Sequence, residues 1–408
     1  MPTPKEISRR DFLKTAGLVG TGSLLVSGAN LALAASGPEG QKADGSGKVP
    51  TRPFGKTGVN VSILSLGTMF DIPSNHLLLR QALNWGVTYW DTADCYEGGK
   101  SETGIGQYFK KDPEARKKVF LVTKSDARDP DGMSKLLARS LERMNTDWID
   151  LYFIHGMKWT QEFHKETKAW AERAKGEGKI KFFGFSTHSN MEECMLAAAK
   201  MGWIDGIMMS YNFRIMHSEK MKEAVKACVD AGIGLTAMKT QGGGSVKMES
   251  EAELKLAGRF LQRGFTDKQA KLKAVWEDPD IASICSQMPN MTILASNVAA
   301  ALDRTSLSAE ESELLRRYAL ETCTSYCAGC AEICESAVEG APPIRDVMRC
   351  LMYYNSYGER DMAREHFARL SDEMRSRFRS LDYRAAERKC PQGIAIGRLM
   401  KEAASLLG

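Results

Sequence analysis

The segment Trp90–Tyr96, which reads WDTADCY, decides how this chain is interpreted. It places the carboxylate of Asp91 at the end of an apolar run and the phenol of Tyr96 shortly after it. Two later apolar runs also end in a functional side chain, because VFLVTK ends at Lys124 and LYFIH ends at His155. If these runs are parallel strands of one barrel, then their carboxyl ends meet at one mouth. The sequence therefore predicts that these four side chains lie together.

Short apolar runs alternate with amphipathic helical stretches along the chain. The candidate strands are Val61–Leu66, Thr88–Thr92, Val119–Lys124, Ile149–His155, Ile180–Ser186, Gly206–Tyr211, Ile233–Met238 and Ile281–Ser286. Candidate helices between them include Met133–Met144, Gln161–Gly176, Met191–Met201 and Ser218–Ala231. Such alternation predicts a parallel sheet, and eight units over about 240 residues suit a closed α/β barrel of the (β/α)8, or TIM, type. The competing architecture is an open doubly wound sheet, but no Gly-x-Gly-x-x-Gly follows the first strand to favour a dinucleotide-binding unit of that kind.

The composition is that of an ordinary soluble globular protein. Of the 408 residues, 43% are hydrophobic and 26% are charged. The net charge of +5 is small and evenly spread along the chain. We therefore expect neither a nucleic acid nor an anionic membrane as a partner.

The first 35 residues predict a targeting signal rather than part of the fold. Ser8–Lys14 reads SRRDFLK, a twin-arginine signature, and a glycine-rich apolar run follows from Ala16 to Ala34. The alternatives are a general secretory signal or a membrane anchor, but the glycines argue against a stable spanning helix. We therefore expect a twin-arginine signal over residues 1–35, export to the periplasm, and no stable membrane span once the signal is removed. Residues 36–50 predict a linker, 51–305 the barrel, and 306–408 a small, mainly helical, cysteine-containing extension.

Several sequence blocks occur in the order found in a known family. They are RPFGKTG at residues 52–58, LSLGT at 64–68, DTA-x-x-Y at 91–96, Lys124, DLY-x-x-H at 150–155 and GFS at 184–186. Together they resemble the signature blocks of the aldo-keto reductases, over roughly residues 51–301. The resemblance implies a TIM barrel that interconverts a small-molecule carbonyl and an alcohol by hydride transfer with a nicotinamide cofactor, NAD or NADP.

The chemistry of the four side chains agrees with that activity. A phenol titrates near pH 10 in water, too high for efficient acid–base catalysis at neutral pH. We expect the ammonium of Lys124 to lower the pKa of Tyr96, with Asp91 orienting the ammonium. His155 can hydrogen-bond the substrate oxygen as charge develops on it. Tyr96 is then the proton donor to the carbonyl oxygen.

The cofactor-binding positions implied by the resemblance depart from the family pattern. After strand five, Ser186 is kept, but Thr187 stands where an Asn is expected. On strand six the expected Gln is Met208, which is a poor partner for an amide. After strand seven, Met238 and Lys239 replace the aromatic residue that stacks on the nicotinamide. The nearby Gly242 begins a three-glycine run that could approach phosphates or be a flexible turn.

The loop after strand eight bears on the choice between NAD and NADP. The family places Lys or Arg there against the additional phosphate of NADP, but residues 285–292, CSQMPNMT, contain no cation. A dianionic phosphate needs charge-assisted partners, so this loop argues against a preference for NADP, while NAD, NADP and a cofactor held from elsewhere all stay open. Asn297 matches an adenine contact. The predicted exported location lacks an obvious nicotinamide pool, so either the cofactor travels bound or a redox partner supplies the electrons.

The extension contains a tight cysteine cluster, Cys323, Cys327, Cys330 and Cys334, and a later Cys390 followed by Pro391. The spacing is similar to a bacterial ferredoxin run and to the iron–sulfur extension of some aldo-keto reductases, which implies a single [4Fe-4S] cluster. Ligation by Cys323, Cys327, Cys330 and Cys390, and ligation by Cys334 in place of Cys323, both stay open. Disulfides, a four-thiolate zinc site and orphan thiols are the alternatives.

A second function from a different class also stays open. In it the barrel is catalytically silent and the chain acts as an electron-transfer or binding protein through its cysteine-containing extension. The four side chains at the mouth favour the enzyme, while Met208 and the cation-free loop favour the silent barrel.

Overall fold

The computed structural model describes residues 47–243, 258–260 and 262–408. The predicted signal peptide, and residues 36–46 of the predicted linker, lie outside the described residues. Within the described part of the chain, no helix is both long enough and apolar enough to cross a membrane.

Eight parallel strands form a closed barrel, as the alternation of apolar runs predicts. In chain order they are Leu64–Gly67, Tyr89–Asp91, Phe120–Ser125, Ile149–Met157, Ile180–Thr187, Gly206–Ser210, Gly234–Met238 and Ser283–Gln287. Each strand pairs with the next, and the eighth closes the barrel against the first, with Ile284 opposite Leu64. The predicted TIM barrel is therefore confirmed, and the open doubly wound sheet is excluded.

The predicted first strand, Val61–Leu66, is wrong as a single element. Asn60–Ser62 pairs antiparallel with Thr51–Pro53 in a separate hairpin, and the barrel strand begins at Leu64. Ser62 explains the break, because its hydroxyl donates to the Leu64 carbonyl at 2.8 Å and accepts the backbone N–H groups of Thr88 and Tyr89 at 3.1 Å. These hydrogen bonds fix the backbone between the hairpin strand and the first barrel strand.

The hairpin closes the amino-terminal end of the barrel. Phe54 lies at its turn and is completely buried against the rings of Tyr89 and Phe120. An aromatic plug at this end leaves the opposite, carboxyl end of the strands as the open mouth, which is where barrels of this type place their sites.

Helices surround the barrel. In the described residues they are His76–Asn84, Lys100–Lys111, Pro113–Lys118, Pro130–Arg143, Thr167–Gly176, Met191–Ala199, Glu219–Asp230, Asp267–Trp276 and Met291–Leu302. The predicted helix Gln161–Gly176 is too long at its start. There the Glu162 carboxylate accepts the backbone N–H groups of Lys158 and Trp159, which closes a short 3-10 turn at Thr160–Glu162, and the α-helix begins at Thr167.

The extension is mainly helical, as predicted. Its helices are Ala309–Glu321, Ala331–Glu335, Ile344–Met352, Arg360–Ala368, Asp372–Arg377, Arg384–Lys389 and Ile396–Leu406, with a π-helical turn at Tyr353–Tyr357. Much of it packs into a core of its own, which includes Val347, Phe367, Phe378 and Met400. Tyr326 instead belongs to the core of the barrel.

Candidate active site

The structure brings the four predicted side chains together at the barrel mouth. The ammonium of Lys124 donates to Asp91 Oδ1 at 2.6 Å and to the Thr92 carbonyl at 2.7 Å, and it lies 3.4 Å from the Tyr96 hydroxyl. The side chains of Asp91 and Lys124 are 3% and 1% exposed. The imidazole of His155 stands edge-on to the Tyr96 ring, with 5.8 Å between the ring centroids. Parallel strands that end at the same level thus place an acid, a cation, a phenol and an imidazole around one point.

The pKa of Tyr96 does not shift in the expected direction. Burial raises it well above its ordinary value, and the negative charge of Asp91 raises it further. The charge of Lys124 is balanced by its salt bridge with Asp91, so the ammonium does not produce the predicted net lowering. Tyr96 therefore holds its proton at neutral pH, which is the state that a proton donor needs.

Two residues near His155 were not predicted from the sequence. Asp126 Oδ1 lies 3.3 Å from His155 Nδ1, and Cys95 Sγ lies 3.8 Å from the same nitrogen. The hydrogen bond from His155 lowers the pKa of Asp126. One sequence signal was present, because Asp126 follows Lys124 by two positions and alternate residues of an extended chain face the same side.

The two residues at the carboxyl end of strand five form local hydrogen bonds. Ser186 Oγ accepts the Gly156 N–H at 3.0 Å. The Thr187 hydroxyl donates to the Ser189 carbonyl at 2.8 Å and accepts the Ser189 N–H at 3.1 Å. Thr187 therefore closes a turn of its own chain, a role that differs from the amide recognition of an Asn.

Three further predicted cofactor positions are largely buried. Met208 and Met238 lie in the interior cluster of the barrel, together with Tyr89. Asn297, in the helix that follows strand eight, donates to Ser286 Oγ at 3.0 Å and is 7% exposed. The amide nitrogen of Asn297 that would meet an adenine ring is thus bonded within the protein.

The loop after strand seven is bound to the extension. Lys239 Nζ donates to the Tyr353 hydroxyl at 2.8 Å and lies 4.5 Å from the centroid of that ring. The Gly242 carbonyl accepts from Arg214 Nε at 2.6 Å, and the φ of Gly242 is +56°, a left-handed conformation in which a side chain would meet Phe213. Both residues that were predicted to face the cofactor therefore face protein.

The extension also contacts the loops that follow strands four, five and six at the mouth. After strand four, Lys158 pairs with Asp346 at 3.0 Å. After strand five, the Asn190 N–H donates to the Gly329 carbonyl at 3.0 Å. After strand six, Asn212 Nδ2 donates to the Tyr326 hydroxyl at 2.8 Å, and Tyr326 is 6% exposed. Four successive βα-loops thus hold the extension over the candidate active site.

All ten cysteines carry free thiols in the structure, so no disulfide is formed. Four of the five predicted ligands line one pocket, namely Cys327, Cys330, Cys334 and Cys390. The walls of the pocket are mainly apolar, with Ile344, Met348 and Ile396 among them. Cys323 lies outside this group, in the 3-10 turn Cys323–Ser325. Of the two predicted ligand sets, the structure therefore assembles the one that contains Cys334.

The spacing of these sulfur atoms differs from that of a preformed zinc site. Four thiolates about 2.3 Å from one zinc ion lie roughly 3.8 Å apart. Among the described residues, one group of three potential ligand atoms lies within 4.8 Å of one another, and it consists of Cys95, Asp126 and His155. Among the described residues, no three of the extension cysteines have sulfur atoms that all lie within 4.8 Å of one another. Burial raises the pKa of Cys327 to about 11 and the pKa of Cys330 and of Cys334 to about 12.

A closed parallel barrel with a buried Lys–Asp pair beside a phenol and an imidazole defines a class of reductase-type TIM-barrel proteins. The chain belongs to the aldo/keto reductase family, whose model matches residues 65–313.

Individual relatives agree with this assignment. The chain is 28% identical over 216 residues to the uncharacterized oxidoreductase YrpG of Bacillus subtilis, covering 47% of this chain and 66% of the relative. It is 29% identical over 204 residues to the aldo-keto reductase yakc [NADP(+)] of Schizosaccharomyces pombe, covering 45% and 59%. The match thus spans less than two thirds of either relative.

The fold also resembles the holo form of aldo-keto reductase AKR11C1 from Bacillus halodurans, with a TM-score of 0.57 and 23% identity. This likeness covers 69% of the present chain and 98% of the other chain. At that level of identity, it shows that the two proteins share the barrel fold.

Proposed function

We propose that this protein is an oxidoreductase that interconverts a small-molecule carbonyl and an alcohol, with Tyr96 as the proton donor and a nicotinamide cofactor. The observation that carries the proposal is the position of Lys124, which bonds Asp91 at 2.6 Å and lies 3.4 Å from the Tyr96 hydroxyl. Membership of the aldo/keto reductase family and the NADP(+) in the name of the fission-yeast relative support it.

Each of the four side chains has its own role in the proposed reaction. A nicotinamide, when bound, supplies a hydride to the carbonyl carbon. Tyr96 donates its phenolic proton to the carbonyl oxygen, and the adjacent ammonium of Lys124 stabilises the phenolate that is left. Asp91 holds the ammonium of Lys124 in position. His155 directs Nδ1 toward Asp126, which leaves its other ring nitrogen for the substrate oxygen.

A nicotinamide at the mouth requires the contact between Lys239 and the extension to change. Lys239, at the position where the family places a residue against the ring, is held by Tyr353. We therefore propose that Tyr353 leaves Lys239 when the cofactor enters.

The activity is tested by following oxidation of NADH and of NADPH with a panel of aldehydes and ketones, using wild-type protein and Tyr96→Phe. Tyr108→Phe is the matched control, because Tyr108 packs beside His76, away from the mouth. Loss of turnover in Tyr96→Phe, with retention in the control, is expected. Equal turnover in the two variants would contradict the role of Tyr96.

For the extension, we propose one [4Fe-4S] cluster ligated by Cys327, Cys330, Cys334 and Cys390. The donor set fits, because four thiols line one apolar pocket at a spacing wider than that of a zinc site. The cluster would accept and donate single electrons, so a redox partner belongs to the proposal.

The cluster is tested by measuring the iron and acid-labile sulfide content of anaerobically purified protein. About four irons per chain are expected. Cys390→Ser and Cys334→Ser should lose iron, whereas Cys323→Ser should keep it. Iron retained in Cys334→Ser but lost in Cys323→Ser would favour the other ligand set.

The contact between Lys239 and Tyr353 favours a second candidate, in which the barrel is catalytically silent and the extension carries the function. It predicts that neither NADH nor NADPH changes its fluorescence on mixing with the protein. Binding of either cofactor would exclude it.

We also propose export by the twin-arginine route, on the basis of Arg9 and Arg10. Lysine at both positions should retain the protein in the cytoplasm, and unchanged fractionation would contradict this.

A further inference from the structure

We propose that Arg345 is the charge-compensating residue of the four-cysteine pocket and sets the reduction potential of the centre held there. The inference rests on the proposed [4Fe-4S] cluster and assigns a role to a residue outside the ligand set.

Among the described residues that line the pocket of Cys327, Cys330, Cys334 and Cys390, Arg345 is the one that carries a charge. Its side chain is 6% exposed, so the guanidinium lies inside the protein. Arg345 Nε is buried and has no hydrogen-bond partner among the described residues. A buried donor without an acceptor is costly, and an acceptor in the adjoining pocket would remove that cost.

The chemistry of the proposed centre supplies such an acceptor. A [4Fe-4S] core held by four thiolates is a net anion, because the thiolates outweigh the charge of the oxidised core, and reduction adds a further electron. Burying an anion among apolar side chains is unfavourable unless a cation or hydrogen-bond donors accompany it. A guanidinium beside the pocket stabilises the reduced form more than the oxidised form and so raises the reduction potential.

The surrounding charges leave the guanidinium only partly neutralised. Asp346 bonds Arg345, but the same carboxylate also accepts from Arg349 at 3.2 Å and from Lys158 at 3.0 Å. Three cations therefore share one anion. Glu335 is also close, and its carboxylate accepts the backbone N–H of Arg345 at 3.0 Å.

The test uses the full-length protein, purified anaerobically, as wild type, Arg345→Gln and Arg345→Lys. The control is Arg349→Gln, which shares Asp346 but does not line the pocket. Iron per chain, circular dichroism and the midpoint potential from an EPR-monitored redox titration are measured for each. We expect Arg345→Gln to shift the midpoint potential to more negative values. Arg345→Lys keeps the positive charge, so its potential should stay close to that of wild type. Arg349→Gln should shift the potential less than Arg345→Gln does.

Each outcome is decisive. A wild-type potential in iron-loaded Arg345→Gln overturns the inference and leaves the proposed cluster intact. If Arg345→Gln folds but loses its iron, retention of iron by Arg345→Lys supports charge compensation, and loss of iron by both folded variants overturns it. If wild-type protein binds no iron, the proposed cluster is contradicted, and the role of Arg345, which depends on that cluster, is contradicted too.

Discussion

Asp126 Oδ1 and His155 Nδ1 lie 3.3 Å apart at the barrel mouth, so a carboxylate orients the imidazole that is proposed to bind the substrate oxygen. The same histidine is anchored from behind, because Arg128 Nη2 donates to its backbone carbonyl at 2.9 Å. Together these contacts fix both the ring and the backbone of His155.

Asp126→Asn should lower kcat/KM for carbonyl reduction. A hydrogen bond to a charged group contributes about 1.5–3 kcal/mol, and the 63% exposure of the Asp126 side chain places the effect at or below the lower end. Steady-state kinetics should therefore show a loss of roughly tenfold. Asp131→Asn, in the first turn of the next helix, is the control and should match wild type. A wild-type rate in Asp126→Asn would falsify the orienting role.

The same pair predicts a pH dependence of stability. The folded-state pKa of Asp126 is lowered, so its contribution is present above the unfolded-state pKa and is lost as the pH falls through the folded-state value. The difference in unfolding free energy between wild type and Asp126→Asn should thus be seen at neutral pH and disappear in acid. Denaturant titrations across that range measure it, and a difference that grows in acid would contradict the assignment.

Lys124→Met should destabilise the fold as well as stop turnover. The variant leaves the carboxylate of Asp91 buried without its cation, and breaking a buried pair in this way costs about 3–5 kcal/mol. Denaturant unfolding measures the loss. The double variant Lys124→Met with Asp91→Asn should recover part of the stability and none of the activity, whereas additive losses would show that the two side chains do not act as a pair.

Tyr353→Ala should strengthen nicotinamide binding. The variant removes the hydroxyl that accepts from Lys239 and the ring that lies below its ammonium. If a charge-assisted hydrogen bond of about 1.5 kcal/mol must be broken on binding, the Kd should fall roughly tenfold. Quenching of cofactor fluorescence measures this. Tyr354→Ala is the control, because Tyr354 packs against Arg360 and Arg364 instead, and an equal gain in both variants would rule out a specific role for Tyr353.

Tyr326→Ala should detach the extension from the mouth. Tyr326 is 6% exposed and belongs to the barrel core, and removing a buried aromatic side chain costs about 3–5 kcal/mol. Limited proteolysis should then cleave between the barrel and the extension. Tyr326→Phe loses only the hydrogen bond from Asn212, about 1 kcal/mol, and should resist the protease like wild type. Resistance of Tyr326→Ala would mean that other contacts suffice.

The barrel and its four central side chains could be predicted from the sequence because both depend on local patterns. Apolar runs mark the strands, and Asp91, Lys124 and His155 stand where those runs end. The split at Ser62 could not be predicted, because it depends on the N–H groups of Thr88 and Tyr89, which only folding brings near.

The contacts of the extension were beyond sequence reasoning for the same reason. Lys239 and Tyr353 are 114 positions apart, and no pattern connects them. Likewise, spacing alone could not decide between Cys323 and Cys334, because the choice depends on where folding places Cys390. The direction of the Tyr96 pKa shift depends on burial, which the local sequence does not report.

The burial of Tyr326 in the barrel core bears on how such a chain could arise and be re-engineered. A domain that is joined to a barrel only by a linker can be moved to another barrel by fusing the two sequences. The extension of this protein instead places one of its own residues, Tyr326, in the core of the barrel. Grafting the cysteine-bearing segment onto another barrel would also require the receiving positions, Asn212 and Arg214 first among them. The two parts are therefore expected to have been inherited, and to tolerate substitution, as one unit.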